Sequence, residues 1–385
     1  MSEPALLGSL LGRRAGIPST LTRHRRPRTP GTQPEIVLEG KSYLNFSSND
    51  YLGMSCDPRV LEHIRAETGT WGIGSGSAAL LGGYSAAHAE LERALAAETG
   101  HEAAVLFSSG YMANLGALTA LLSRQDYALH DRLNHASLID GILLSGARHR
   151  RYAHLDMGSL ATALANTGGN RLIVTETVFS MDGDQTPLPH ILQLAKEFEA
   201  LTYLDDAHGF LVSQRQGPPS KPADVITMVT LGKALGAQGA AVCASEEIID
   251  LLVQTARTFV YDTALSPVCA LAALEALRLI KTDHNIRQRL NSNVVLFQQL
   301  ARKAGIPLSN VEGPIQPIRL GGDVGTLAVA ERLRTLGMYI PAIRPPTVPK
   351  GTSRLRIALT ASHTSEHIER LVAALAKAIP GVLSP

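Results

Sequence analysis

The sequence predicts an α/β protein: a mainly parallel central sheet with helices on both faces, followed by a smaller α+β domain at the C-terminal end. Three observations predict it. Short apolar runs rich in Val, Ile and Leu alternate with stretches whose apolar residues recur at helical spacing. Polar clusters of Gly, Ser, Asp and His stand directly after several of these runs, where parallel α/β sheets bind ligands. After about Asp283 the pattern changes to longer helices and more widely separated strands. The expected division is an N-terminal helix and arm over 1–48, a large α/β domain over 49–283, and a small α+β domain over 284–385.

At the N-terminus, Arg13, Arg14, Arg23, Arg25, Arg26 and Arg28 meet no acid between Glu3 and Glu35. An organelle transit peptide and a nucleic-acid-binding arm both fit that composition. Against both, Pro18, Pro27, Pro30 and Pro34 break the segment and no aromatic residue interleaves the arginines. A short helix plus an arm packed on the main body is the favoured reading. The apolar run 103–107 reads as a strand and 113–122 as a helix. Residues 127–130 are strand-like, and 171–176 has the composition of a buried strand. Residues 188–200 then place Ile191, Leu192, Ala195 and Phe198 on one helical face. Strands at 202–204, 225–230 and 240–243 continue the alternation. In the last part, helices are expected over 286–304, near 327–336 and over 365–379, with strands at 315–320 and 354–359.

At 385 residues the chain is long enough for a large core and more than one domain. A net charge of +2 gives no general electrostatic reason to expect nucleic acid or an acidic membrane surface as partner. No apolar run approaches the roughly 20 residues that span a bilayer. Cys56, Cys243 and Cys269 are odd in number, far apart and without a C-x-x-C pair, which supports neither a zinc site nor a disulfide framework. The default compartment is therefore a reducing cytoplasm, with no membrane or nucleic-acid partner.

The chemistry centres on Lys233, in Thr230-Leu231-Gly232-Lys233-Ala234-Leu235-Gly236. An isolated lysine is most often a solvated surface residue. A small, apolar, Gly-flanked setting instead keeps an ε-amine neutral enough to form a Schiff base. Asp205-Asp206-Ala207-His208-Gly209 follows the run ending at Leu204, and an acid at a strand end suits a pyridinium nitrogen. Together they suggest pyridoxal 5'-phosphate (PLP). Ser108-Ser109-Gly110-Tyr111 lies between a strand and a helix start, where small residues, free N–H groups and the helix dipole favour a phosphate; it is also an ordinary turn and N-cap. Thr230 adds a hydroxyl close to Lys233, and His135 offers a ring to stack on a flat cofactor or is simply structural. Asp205 and His208 lack the further ligands that a metal site needs, so no metal is expected. No G-x-S-x-G elbow supports a Ser-His-Asp hydrolase.

The stretches Asn45 to Gly53, Asp131 to Ser137, Thr175 to Asp184, Asp205 to Gly209 and Thr230 to Gly236 resemble the α-oxoamine synthases. These are PLP enzymes of fold type I that condense an amino acid with an acyl thioester and release CO2. The resemblance runs from about Arg23 to the last helix, with every motif in the family's order. The string Ile343-Arg344-Pro345-Pro346-Thr347-Val348-Pro349 is similar to the branch that joins L-alanine to a pimeloyl thioester in biotin biosynthesis. Glycine-using members usually lack this Arg-Pro-Pro before Val-Pro. Two departures stand out: Gly74 to Gly83 replaces one glycine and one serine of the usual glycine-rich stretch, and Asp262 stands where relatives tend to carry Ser.

The resemblance implies that Lys233 holds PLP and, once displaced, serves as the base for the alanine Cα proton. It implies that Asp205 partners the pyridine nitrogen, His135 stacks on the ring, and His208 and Ser180 lie near the phenolic oxygen. Gly110, Tyr111 and Thr230 would help to hold the cofactor. Arg356 would clamp the alanine carboxylate, a role guanidinium fills with two parallel bonds, unless it is an edge-strand surface arginine. Arg23, Asn49 and Thr347 match substrate- or cofactor-contact positions, and Arg344 would help to gather a substrate carboxylate. A homodimer is expected, with pimeloyl-CoA or pimeloyl-acyl carrier protein as the acyl donor. The rivals are a glycine-using α-oxoamine synthase and a PLP-binding protein without catalysis.

Overall fold

The computed structural model describes residues 5–18, 22, 25–29, 34–213 and 224–379. They fall into two compact units, one of residues 49–291 and one formed by 1–48 with 292–385. Each is described by itself.

The larger unit is built on a seven-stranded sheet: β1 (Ala103–Phe107), β2 (Tyr127–Asp131), β3 (Arg148–Tyr152), β4 (Arg171–Glu176), β5 (Leu201–Asp205), β6 (Val225–Thr230) and β7 (Ala240–Ala244). Their order across the sheet is β1-β7-β6-β5-β4-β2-β3. β3, β2, β4, β5 and β6 pair in parallel, and β7 runs antiparallel to both β6 and β1. β1 therefore points the same way as the parallel set, so six strands present their carboxyl ends at one edge. Successive residues of β4 enter different cores. Leu172 and Val174 pack with Phe107, Leu118, Leu138 and Tyr203, whereas Ile173 packs with Leu129, Tyr152, Leu160 and Ile191. That period of two, apolar on both sides, is why the strand reads as a continuous apolar run.

Several elements fall outside the sequence reading. β3 is Arg-His-Arg-Arg-Tyr, with only Tyr152 buried. It is an edge strand paired to β2 alone, and charge on such a strand discourages pairing with another chain. Helices Pro58–Trp71, Ala86–Thr99, Ala136–Ser145, Met157–Ala165, Glu246–Thr255 and Pro267–Thr282 were likewise not anticipated. The helix expected at 113–122 spans Gly110–Leu121, because Ser109 Oγ accepts the Met112 N–H at 3.2 Å and caps it three residues earlier. The helix expected at 188–200 ends at Glu197.

In the other unit, Lys41–Asn45 pairs antiparallel with Glu35–Leu38 and parallel with Met338–Tyr339, which ties the start of the chain to its last part. A second sheet sets Ser353–Ala358 between Ile315–Gly321 and Ala342–Ile343. The helices are Asp323–Thr335 and Ser365–Ala378, and Asn285–Lys303 begins before the boundary. Ala5–Ala15 is a helix with no buried residue. No helix of the described residues is long and apolar enough to cross a membrane, and all three cysteines are free.

Candidate active site

The shared direction of six strands gathers the polar clusters. Asp205, Glu176, Asp131 and Thr230 are the last residues of β5, β4, β2 and β6, and Ser108 directly follows β1. Asp205 and Glu176 are neighbours in register.

Lys233 follows β6 in a tight turn closed by Leu231 N–H to Gly239 O at 2.9 Å and Gly236 N–H to Lys233 O at 3.0 Å. Gly236 has φ +62°, and a Cβ there would collide with the backbone N of Ser55. Only glycine fits, and its fit fixes the turn that carries the lysine. Lys233 is half-buried, with Nζ 2.7 Å from His208 Nε2. His208 Nδ1 lies 2.7 Å from the Tyr51 hydroxyl, which donates to Asn49 Oδ1 at 3.2 Å. Because Tyr51 gives its proton to Asn49, its oxygen accepts from Nδ1–H. Nε2 is then the acceptor that faces the amine.

Asp205 is 4% exposed, and its Oδ1 accepts the Ala207 N–H at 3.0 Å. Burial first, and the Asp205 charge second, push the Glu176 carboxyl well above its ordinary range. One Glu176 oxygen accepts the backbone N–H of His135 at 2.6 Å. His135 caps the helix Ala136–Ser145 and is exposed. Desolvation by the surrounding protein lowers its pKa, with Lys233 adding to the effect and Asp205 opposing it, so the ring is neutral near pH 7.

The opposite end suits an anion. First-turn N–H groups have no partner within a helix, and those of Gly110 and Tyr111 open the helix after β1. A Cβ on Gly110 would stand 3.9 Å from Thr230 Oγ1, so the hydroxyl lies beside the helix start. Tyr111 is exposed, donates its hydroxyl to Asp140 and stands edge-on to His135, with ring centroids 6.4 Å apart. Ser180 is half-buried, and its N–H goes to Glu176. Asp262 accepts a hydrogen bond from Ser108 Oγ at 2.6 Å, so the unusual acid is fastened to the same turn. A half-buried amine, a buried acid at a strand end, an imidazole face and a helix start beside a hydroxyl fit PLP group by group.

The remaining expected residues are Arg23, Arg344, Thr347 and Arg356. Arg23 is outside the described residues. Arg344, Thr347 and Arg356 belong to the other unit. Arg356 lies in Ser353–Ala358, only 5% exposed, with its N–H bonded to Pro341 O at 3.1 Å, so it is not a surface arginine. Thr347 is exposed and donates its N–H to Arg344 O at 3.0 Å. Arg344 lines a groove of about 410 Å³ with Arg26, Arg334 and Tyr339.

Sequence reasoning assigned no role to Tyr51, Asn114, Glu176 or His154. His154 bridges Asp131 Oδ1 at 2.9 Å and Asp184 Oδ2 at 3.0 Å, and its ring stands edge-on to Phe179. Burial alone would lower its pKa, but the bonds and charges of the two acids outweigh that and hold it at about 9. It thereby anchors the loop that carries Ser180. The available signal was a polar residue inside a conspicuous motif: Tyr51 and Glu176 both lie in stretches that carry the resemblance.

The model of the family "Aminotransferase class I and II" matches residues 41–375. An 8-amino-7-oxononanoate synthase of Methylococcus capsulatus is 47% identical over 366 residues, covering 93% of this chain and 95% of that protein. Among solved structures, a serine palmitoyltransferase variant from S. paucimobilis with bound PLP-myriocin aldimine superposes with a TM-score of 0.88 at 25% identity, covering 98% of each chain. An 8-amino-7-oxononanoate synthase from Francisella tularensis superposes with a TM-score of 0.73 at 30% identity, covering 87% of this chain and 97% of the other.

Proposed function

The chain belongs to the class I and II aminotransferase family and, within it, to the 8-amino-7-oxononanoate synthases; from that premise we propose which of its residues carry the reaction. The reaction is the PLP-dependent condensation of L-alanine with a pimeloyl thioester, giving 8-amino-7-oxononanoate, CO2 and free thiol, a step of biotin biosynthesis. When bound, PLP supplies the electron sink that takes up the electron pair left at the alanine Cα.

Lys233 is the covalent anchor and, once displaced, the base that takes the Cα proton at Nζ. The observation that carries this reading is the 2.7 Å approach of Nζ to His208 Nε2. An acceptor there receives one N–H of the amine, so that once the amine is deprotonated its lone pair is free to work as a base. Asn49 and Tyr51 hold His208 in the tautomer that does this. Asp205, buried at a strand end, would keep a pyridine nitrogen protonated. His135 would stack on the ring, Ser180 and His208 would serve the phenolic oxygen, and Gly110, Tyr111 and Thr230 would hold the phosphate. Arg356 grips the alanine carboxylate, with Asn49 and Thr347 as further substrate contacts. Arg23 is assigned the same role from sequence alone, and Arg344 gathers a carboxylate of the acyl substrate. The acyl group arrives on CoA or on acyl carrier protein, in the cytoplasm. Ile73, Leu81 and Tyr261, exposed by 77%, 80% and 73%, support a homodimer, since apolar residues of that size favour cover by a second copy.

The test is mass-spectrometric detection of product from pimeloyl-CoA with L-alanine or glycine. L-alanine is expected to be used at least about tenfold better, a discrimination that one methyl group supports. Equal or better use of glycine assigns the chain to the other branch, and no product from either refutes the reading.

A further inference from the structure

We propose that Asn114 is a positioning residue, whose single buried amide holds Asp205 and, through Ser137, the ring of His135 in their working orientations. The inference rests on the PLP reading and goes beyond the residues named for it. Asn114 lies one turn inside the helix Gly110–Leu121, at 1% exposure, among apolar neighbours such as Ala113 and Leu118. An amide placed there is costly unless every polar atom is paired. Each is paired: Nδ2 donates to Asp205 Oδ2 at 2.8 Å and to Ser137 Oγ at 2.9 Å, and Oδ1 accepts from the buried Tyr203 hydroxyl at 2.9 Å.

The directions of these bonds are not interchangeable. A carboxylate only accepts, so Asp205 forces the NH2 side of Asn114 toward itself. That leaves Oδ1 for Tyr203 and the second N–H for Ser137. Ser137 Oγ, already accepting from Asn114, sends its one proton to His135 Nδ1, 2.8 Å away. The Ser137 backbone N–H points at the same Nδ1 at 3.3 Å, which agrees with an acceptor there. His135 therefore carries its proton on Nε2. One polarised chain, Tyr203 to Asn114 to both Asp205 and Ser137–His135, couples the charge of the acid to the tautomer of the stacking ring. The helix that carries Asn114 also supplies Gly110 and Tyr111, so one rigid element sets the phosphate end and the acid end together.

The experiment uses full-length enzyme loaded with PLP, titrated with pH while the visible absorbance of the lysine-bound cofactor is followed. In Asn114→Leu, Asp205 loses a donor and becomes more basic, so the positive charge that acidifies the Lys233 linkage weakens. The midpoint then moves up by about one pH unit. The kcat falls by roughly tenfold or more, while the KM for the thioester changes by less than about threefold. Tyr203→Phe shifts the midpoint in the same direction by less, and it decides the matter if Asn114→Leu does not fold. Ser137→Ala cuts only the branch to His135, so the Kd for PLP rises about threefold or more while the midpoint stays within about 0.3 units. The inference is overturned if Asn114→Leu or Tyr203→Phe folds with the wild-type midpoint, or if Ser137→Ala moves the midpoint as far as Asn114→Leu. A wild-type enzyme without lysine-bound absorbance overturns the PLP reading itself; a normal wild type with unresponsive variants overturns the inference alone.

Discussion

Replacing His154 with Gln removes a charge from between two acids, and its effect on stability carries a pH signature. In the folded protein His154 holds its proton up to about pH 9, against 6.5 for the free side chain. At about 1.4 kcal/mol per unit, that difference sets a ceiling of roughly 3 kcal/mol. The ring is only partly buried, so screening reduces this to roughly 1–2 kcal/mol. Because the folded pKa is the higher one, the contribution is complete below about pH 6.5, declines as pH rises, and is gone above about pH 9. Asp131 keeps its bonds from Leu133 N–H at 2.8 Å and Leu155 N–H at 3.0 Å, so the variant should still fold. Lost packing against Phe179 adds a part that does not vary with pH. Urea unfolding of both proteins at pH 6 and pH 10 is the assay. The wild-type advantage should be larger at pH 6 by roughly 1–2 kcal/mol. An advantage equal at the two pH values would mean that His154 carries no extra proton in the folded protein.

Two further substitutions address the chemistry. Asp205→Asn should leave PLP bound but lower kcat by at least about a hundredfold, since losing several kcal/mol of carbanion stabilisation costs about tenfold per 1.4 kcal/mol. Near-normal turnover would transfer the role to Asp206 or to no acid. Arg356→Lys keeps the charge but loses the planar fork, so the KM for L-alanine should rise about tenfold or more with little change for the thioester. If the thioester KM moves instead, Arg356 serves the acyl substrate and Arg344 becomes the better candidate for alanine.

What the sequence discloses follows from what each residue packs against. β4 and β7 are legible because both faces are buried and the run is apolar throughout. β3 is not, because an edge strand of arginines has the composition of a loop. The helix Pro58–Trp71 buries only Val60, so it leaves almost no apolar stripe to read. At the site, Lys233, Asp205, His135 and His208 stand in small-residue clusters after strands, and that setting announces them. Tyr51, Asn114 and His154 take their roles from partners remote in sequence: Tyr51 and His208 are 157 positions apart, and Asn114 and Asp205 are 91. The unusual Asp262 was visible in the sequence, but its bond to Ser108 spans 154 positions and was not.

Everything proposed for the site depends on Lys233 as the covalent anchor for PLP and the base for the alanine Cα proton. The most direct measurement is borohydride reduction of the PLP-loaded protein, followed by proteolysis and mass mapping of the modified peptide. One reduced pyridoxyl adduct is expected, on Lys233, and none at that position in Lys233→Ala, which still folds but makes no product. An adduct on any other lysine of the wild-type protein, or measurable turnover by Lys233→Ala, would contradict it.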